Sequence, residues 1–272
     1  MRRREREIIY YDDECNDDFA GVDRSRIEID EHFPYLHKSR LWNAAAAVVY
    51  RGVMTPVAYL WCKLRFGLRV KNRRAIKLAE RGQGCFLYGN HTLLAGDAFI
   101  PNLVTFPRRT FVVVGSENLS SRGTRNWIQM SGALPLPTKL SGLRAFLLAM
   151  ETRVGQGSCI CIYPEAHVWR YYTGIRPFGA DSFRYPVRMG VPSFCTTVTY
   201  SKRRFLRTPR VTVYVDGPFY PDESLPARAR AQALRDQIYQ TMCRRAEEST
   251  YSPIQYVKRK ERDDADSDPL RR

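Results

Sequence analysis

The sequence predicts an α/β fold: a mainly parallel twisted sheet flanked by helices, with an N-terminal helical hairpin suited to a membrane interface. Three observations carry that prediction. From Cys85 to Glu247 short apolar runs rich in strand-formers alternate with helical stretches, the pattern of successive βαβ units. Several of these runs stop at a glycine or proline followed at once by polar residues. At 272 residues the chain can bury a sizeable core, and one α/β domain with end extensions suits that length better than two domains.

Taken in order, residues 1–40 form an acidic and aromatic arm. Its start, Met1-Arg2-Arg3-Arg4-Glu5-Arg6, leads into acidic sequence and reads as no secretory leader. The cluster Asp12, Asp13, Glu14, Asp17, Asp18 and Asp23 lacks the glycine and terminal glutamate of a calcium loop and reads as solvated. Tyr10, Tyr11, Phe33 and Tyr35 can pin the arm to the domain. Residues 41–66 are the most apolar stretch, interrupted by Arg51, Gly52 and Pro56. A spanning helix needs about 20 largely uninterrupted apolar residues, so this stretch is expected to form two short helices hinged near Gly52 to Pro56. Trp42, Tyr50, Tyr59 and Trp61, with the basic run Lys63, Arg65, Arg69, Lys71, Arg73, Arg74 and Lys77, make it a candidate anchor on an anionic bilayer surface. A hairpin packed on the core is the alternative.

Residues 67–250 carry the α/β domain. Strands are expected at 85–88, 110–114, 133–136, 158–163, 193–200 and 211–215, and helices from Ser116, at 141–153, at 183–189 and at 227–247. Residues 251–272 read as a charged tail. The balance of 44 Lys and Arg against 28 Asp and Glu gives 44 − 28 = +16, which calls for an anionic partner. No zinc finger, RNP-type run or Gly-rich RNA loop supports nucleic acid as that partner. Seven scattered cysteines, most of them in apolar runs, suit buried free thiols in a reducing compartment. The pair Cys159 and Cys161 and the four histidines lack ligand spacing for a metal.

The chemistry concentrates in Cys85-Phe86-Leu87-Tyr88-Gly89-Asn90-His91, followed by Asp97. A buried strand there runs into a turn that presents His91 at the C-terminal edge of the sheet, where open α/β sheets bind ligands. A histidine oriented by a carboxylate is a general base. The plain alternative is a turn histidine and a solvated helix-start aspartate. A second strand end, Tyr163-Pro164-Glu165-Ala166-His167, has the same layout and would face the same cleft.

In this order and at about this spacing, Asn90-His91 with Asp97, Gly132-Ala133-Leu134-Pro135-Leu136-Pro137, Tyr163-Pro164-Glu165 and Gly190-Val191-Pro192 resemble the four motif blocks of the glycerophospholipid acyltransferases. These are the lysophosphatidate (1-acylglycerol-3-phosphate) acyltransferase-like family. The resemblance spans roughly residues 41–220. It implies acyl transfer from acyl-CoA or acyl carrier protein, as co-substrate, to a lysophospholipid hydroxyl in phospholipid biosynthesis, with no cofactor and no metal. It also implies a peripheral enzyme at the cytoplasmic face of an anionic membrane. His91 would be the base, Asp97 its orienting partner, Glu165 and Asn90 acceptor-binding or turn-shaping residues, and nearby backbone N–H groups the oxyanion donors. His167 would be a second acid/base or structural.

Three departures matter. Five residues, Thr92 to Gly96, separate His91 from Asp97 where the family has four. One added residue turns a helical partner by about 100°, so Gly96 must absorb it in a turn. Thr138 and Ala166-His167-Val168 stand where the family carries its phosphate-binding arginines, leaving Lys139, Arg170 and Arg176 as substitutes. If these do not reach the site, the acceptor is not a simple phosphomonoester, or the enzyme hydrolyses the thioester. A non-catalytic basic protein for anionic lipid or nucleic acid is the reading from another class.

Overall fold

The computed structural model describes residues 7–19, 21, 27–78, 82–119 and 123–259. In chain order the elements are β1 (Glu7–Tyr11), α1 (Arg40–Val48), α2 (Thr55–Phe66), β2 (Arg69–Lys71), β3 (Cys85–Gly89), α3 (Gly96–Thr105), β4 (Thr110–Val114), α4 (Arg125–Met130), β5 (Ala133–Pro135), α5 (Leu143–Gly155), β6 (Cys159–Ile162), α6 (Arg184–Met189), β7 (Ser193–Ser201), β8 (Arg210–Phe219), α7 (Ala227–Ala246) and β9 (Ile254–Lys258).

Seven strands form the main sheet in the order β2-β8-β7-β3-β6-β4-β5. Every neighbouring pair is parallel except β7 with β8. Parallel strands are buried on both faces and therefore read as unbroken apolar runs, as β3 and β6 do. The two-residue alternation of β3 sends Phe86 and Tyr88 into the core layer under α5, α6 and α7. Cys85 and Leu87 enter the opposite layer with Cys62 and Phe66 of α2 and Ile100 and Val104 of α3. All seven cysteines are free thiols, and Cys62, Cys85, Cys159, Cys161 and Cys195 are buried. The fold class expected from the alternation is the one observed.

Three sequence expectations need correction. The stretch 41–66 is not a hairpin. Between α1 and α2, Val49–Met54 stays right-handed in π-helical geometry, so the chain continues without reversing. The wide turn takes up Pro56, which has no N–H and sits in the first turn of α2. There the Thr55 N–H and hydroxyl both donate to the Tyr50 carbonyl, the hydroxyl at 2.7 Å. The turn is docked to the core as well: the Thr110 N–H donates to the Tyr50 hydroxyl at 2.8 Å and Asn102 donates to Thr55 Oγ1 at 2.8 Å.

The tail expected at 251–272 is ordered through Arg259: β9 pairs in parallel with β1 as a separate two-stranded sheet. Its alternation was masked by lysine-rich neighbours, and Tyr256 stacks on the buried Trp169 at 4.8 Å. Residues 260–272 lie outside the described residues. Ser116–Leu119 is a single 3-10 turn, with the helix α4 following only at Arg125.

Candidate active site

The central strand β3 stops at Gly89 because only glycine fits there. A Cβ on Gly89 would lie 2.7 Å from the ring of Tyr163, which crosses the strand end. Asn90 then takes the place of one more rung of the sheet: its side chain accepts from the Val198 N–H at 2.8 Å and donates to the Val198 carbonyl at 3.2 Å. This bond pair fixes where the chain leaves the sheet, so Asn90 shapes the turn and, being buried, is not part of an acceptor surface.

His91 follows, and its Nδ1 lies 2.7 Å from Asp97 Oδ2. The extra residue between them is absorbed as the spacing requires. Leu94 and Ala95 turn, the Asp97 N–H bonds the Leu93 carbonyl at 2.8 Å, and the Leu93 N–H returns to Asp97 Oδ2 at 2.8 Å. A Cβ on Gly96 would come within 2.9 Å of the Leu93 Cβ, so the tight turn requires the glycine. Asp97 thus sits in the first turn of α3, where the helix dipole favours a carboxylate. Its burial pushes the pKa up, against the hydrogen bonds from His91 and the backbone. The Tyr163 ring stacks on the imidazole with centroids 4.5 Å apart, and its hydroxyl donates to the Asp97 carbonyl at 2.6 Å. With Nδ1 engaged and both ring and aspartate braced, Nε2 is the nitrogen left for the cleft.

The parallel neighbour β6 ends beside β3, and the two strand ends meet as the sequence layout implied. Glu165 Oε2 accepts from the His91 N–H at 3.1 Å, and Oε1 accepts from the Arg176 N–H at 3.2 Å. The Arg176 guanidinium lies 3.4 Å from Oε2, and both side chains are wholly buried. Arg176 also donates to the carbonyls of Glu165 and Glu14, at 3.2 and 3.3 Å, and to that of His167, and stacks over Trp169. Burial pushes Glu165 up, opposed first by Arg176. Neither Glu165 nor Arg176 lines the cleft over His91. They clamp the backbone of His91 to the loop after β6.

A cleft of about 1120 Å³ opens over His91. Its lining includes the apolar side chains Val112, Val113, Leu136, Phe146 and Ile162 as well as the arm residues Asp18 and Glu28. Lys139 and His167 also line it, Lys139 ion-paired with Glu28 and His167 3.8 Å from Asp18. Arg170 stands apart, bonded to Glu7 of β1 at 2.8 Å, because β1 draws it to the surface. The turn's own N–H groups of His91 and Leu93 are taken by carboxylates and so supply no oxyanion site. Among the described residues no three His, Cys, Asp or Glu side chains gather as metal ligands. The sequence places Tyr163 at a strand end and in a motif block but gives no sign of its stacking on His91 or its bond to Asp97, and the acidic residues of the arm read there as solvated, whereas Asp18 and Glu28 line the cleft.

No family model matches the sequence, and comparison with curated proteins gives no match. Among solved structures, the chain is similar to the crystal structure of the 1-acyl-sn-glycerophosphate (LPA) acyltransferase PlsC from Thermotoga maritima, with a TM-score of 0.52 and 15% sequence identity, over 80% of this chain and 86% of that one. At that identity the likeness is one of architecture: the chain is built on the fold of this acyltransferase, along most of its length.

Proposed function

We propose that the protein is an O-acyltransferase that moves a fatty acyl group from a thioester, acyl-CoA or acyl carrier protein, to a lysolipid hydroxyl at a membrane surface. The observation that carries the reading is the His91–Asp97 pair at 2.7 Å in a cleft whose lining includes Val112, Val113, Leu136, Phe146 and Ile162. The acceptor hydroxyl lies against His91 Nε2, which takes its proton as the oxygen attacks the thioester carbonyl. Asp97 holds the Nδ1–H tautomer and stabilises the imidazolium. The C–O bond forms, the C–S bond breaks, and the imidazolium returns the proton to the thiolate. The apolar side chains of the lining take an acyl chain, and no step needs a metal or cofactor. The shared fold with a 1-acyl-sn-glycerophosphate acyltransferase supports this reading. The phosphatidate-forming version would need cations at the head group.

The test is thioester consumption by purified protein with and without a lysolipid, with the products identified. The reading expects thiol release that depends on the lysolipid and one new ester per thiol. Free fatty acid as the product, with or without lysolipid, contradicts it and makes the protein a thioesterase.

The membrane part rests on the outer face of α1 and α2. Ala58, Cys62 and Phe66 face the core, while Val57, Leu60 and Leu64, at one-turn spacing, are 54%, 57% and 67% exposed. Leu41 and Val48 continue the exposed stripe. Exposed Phe205 and Leu206, with Arg203 and Arg204, lie in the β7–β8 loop, where Arg203 and Thr208 both bond the Arg65 carbonyl at 3.1 Å. No helix among the described residues is long and apolar enough to cross a membrane, so contact would be interfacial. Leu60→Glu with Leu64→Glu is expected to lower partition into anionic vesicles about tenfold or more, from the apolar area lost. Undiminished partition would refute the assignment of this face.

A further inference from the structure

The strand that holds the His91 turn does not stop where β3 stops. β3 ends at Gly89, opposite Thr196 of β7, and β7 runs on to Ser201, about 16 Å farther at the usual rise per residue. This overhang carries the residues on both sides of His91. Asn90 is bonded to the Val198 N–H and carbonyl at 2.8 and 3.2 Å, and Thr92 Oγ1 lies 2.6 Å from the Tyr200 hydroxyl. Thr92 and Tyr200 are buried, so packing fixes the second contact as well.

Beyond Ser201 the chain turns through residues 202–209 and returns as β8, with Arg210 paired to Ser201. The base of that turn is tied to the end of α2. Arg203 and Thr208, one from each side, both donate to the Arg65 carbonyl at 3.1 Å. What projects is Arg204-Phe205-Leu206-Arg207, all exposed, Phe205 by 86% and Leu206 by 52%. The Arg204 guanidinium lies 5.2 Å from the centre of the Phe205 ring. Lys202, with Lys63 and Arg65 of the last α2 turn, adds exposed cations nearby. Thr199 stands level with His91, between the two bonded pairs, so Phe205 is at most about 20 Å of chain from that level.

We propose, resting on the membrane-surface reading above, that this hairpin tip aims the His91 edge of the sheet at an anionic bilayer. Phe205 and Leu206 enter the head-group layer, and Arg204 and Arg207 pair with lipid phosphates. Aromatic and aliphatic groups seat at the acyl boundary while cations stay among the phosphates, which is the chemistry of this tip. Four residues cannot supply the roughly 800 Å² per partner of a stable protein interface. Because β7 is continuous from the tip to the pairs that hold Asn90 and Thr92, seating the tip sets the height and tilt of the His91 turn over the lipid.

The test uses two double variants that leave the base of the loop untouched. Phe205→Glu with Leu206→Glu is expected to lower co-sedimentation with vesicles of equimolar phosphatidylglycerol and phosphatidylcholine about tenfold or more, from the apolar area lost. Arg204→Gln with Arg207→Gln is expected to shrink the preference for these vesicles over pure phosphatidylcholine by about tenfold or more. Both pairs are exposed, so Tm is expected to stay that of the parent. In acyl transfer, the ratio of KM for a vesicle-borne lysolipid to KM for a short-chain monomeric one is expected to rise about tenfold in the Phe205→Glu/Leu206→Glu protein. Undiminished co-sedimentation of that protein, or an unmoved KM ratio, overturns the proposal. So does an unmoved vesicle preference in Arg204→Gln/Arg207→Gln together with weakened binding of an acyl carrier protein, which would make the tip a donor dock. Lost co-sedimentation with no transfer to any acceptor, even by the parent, leaves the tip assigned to the membrane and refutes the acyl-transfer reading.

Discussion

Arg176→Ala is expected to destabilise the fold by about 3–5 kcal/mol, because it strands a buried carboxylate. Arg176 and Glu165 have no exposed side-chain surface. The guanidinium joins Glu165 to the carbonyls of Glu14 and His167 and lies over Trp169, so its loss frees the arm as well as the loop after β6. For a chain of this size that corresponds to a fall in Tm of roughly 6–20 °C. Arg170→Ala, which removes a pair exposed on both sides, is expected to stay within about 1 kcal/mol of the parent. Thermal denaturation of both variants checks the contrast. An Arg176→Ala protein that melts like the parent and instead raises KM for a phosphorylated acceptor would mean that this arginine is a ligand after all.

What was legible in the sequence was set by local periodicity and by what must lie at strand ends. The strands β3 and β6 show as apolar runs because both faces of each are covered, and the meeting of His91 with Glu165 follows once their strands are neighbours in a parallel sheet. The roles of charged residues were not legible, since they depend on which partner the fold brings up: Arg176 is taken by Glu165, eleven residues before it, and Arg170 by Glu7 at the far end of the chain. A cation in the sequence carries no mark of the carboxylate that will occupy it, and an acidic arm gives no sign that Trp169 and Thr138 will hold it down. The supposed hairpin failed for a different reason. Proline in a first turn is compatible with a continuing helix, and a π-helical segment let the chain run straight through.

His91→Ala is expected to lower acceptor-dependent acyl transfer by about 10²–10⁴-fold, the contribution of a general base, with little change in stability. The bond that ties this turn to Glu165 is made by the backbone N–H of His91, which alanine keeps, while Asp97 retains the Leu93 N–H. Asp97→Asn should preserve the turn and lower kcat more than it raises KM, since it removes the charge that stabilises the imidazolium. The most direct measurement is the initial rate of thiol release from an acyl thioester by the unmodified protein and by His91→Ala, each with and without a lysolipid. The account predicts that the lysolipid raises the unmodified protein's rate and that this increment disappears in the variant. An increment of which more than a third survives in His91→Ala would contradict the assignment of the base, and with it the central claim.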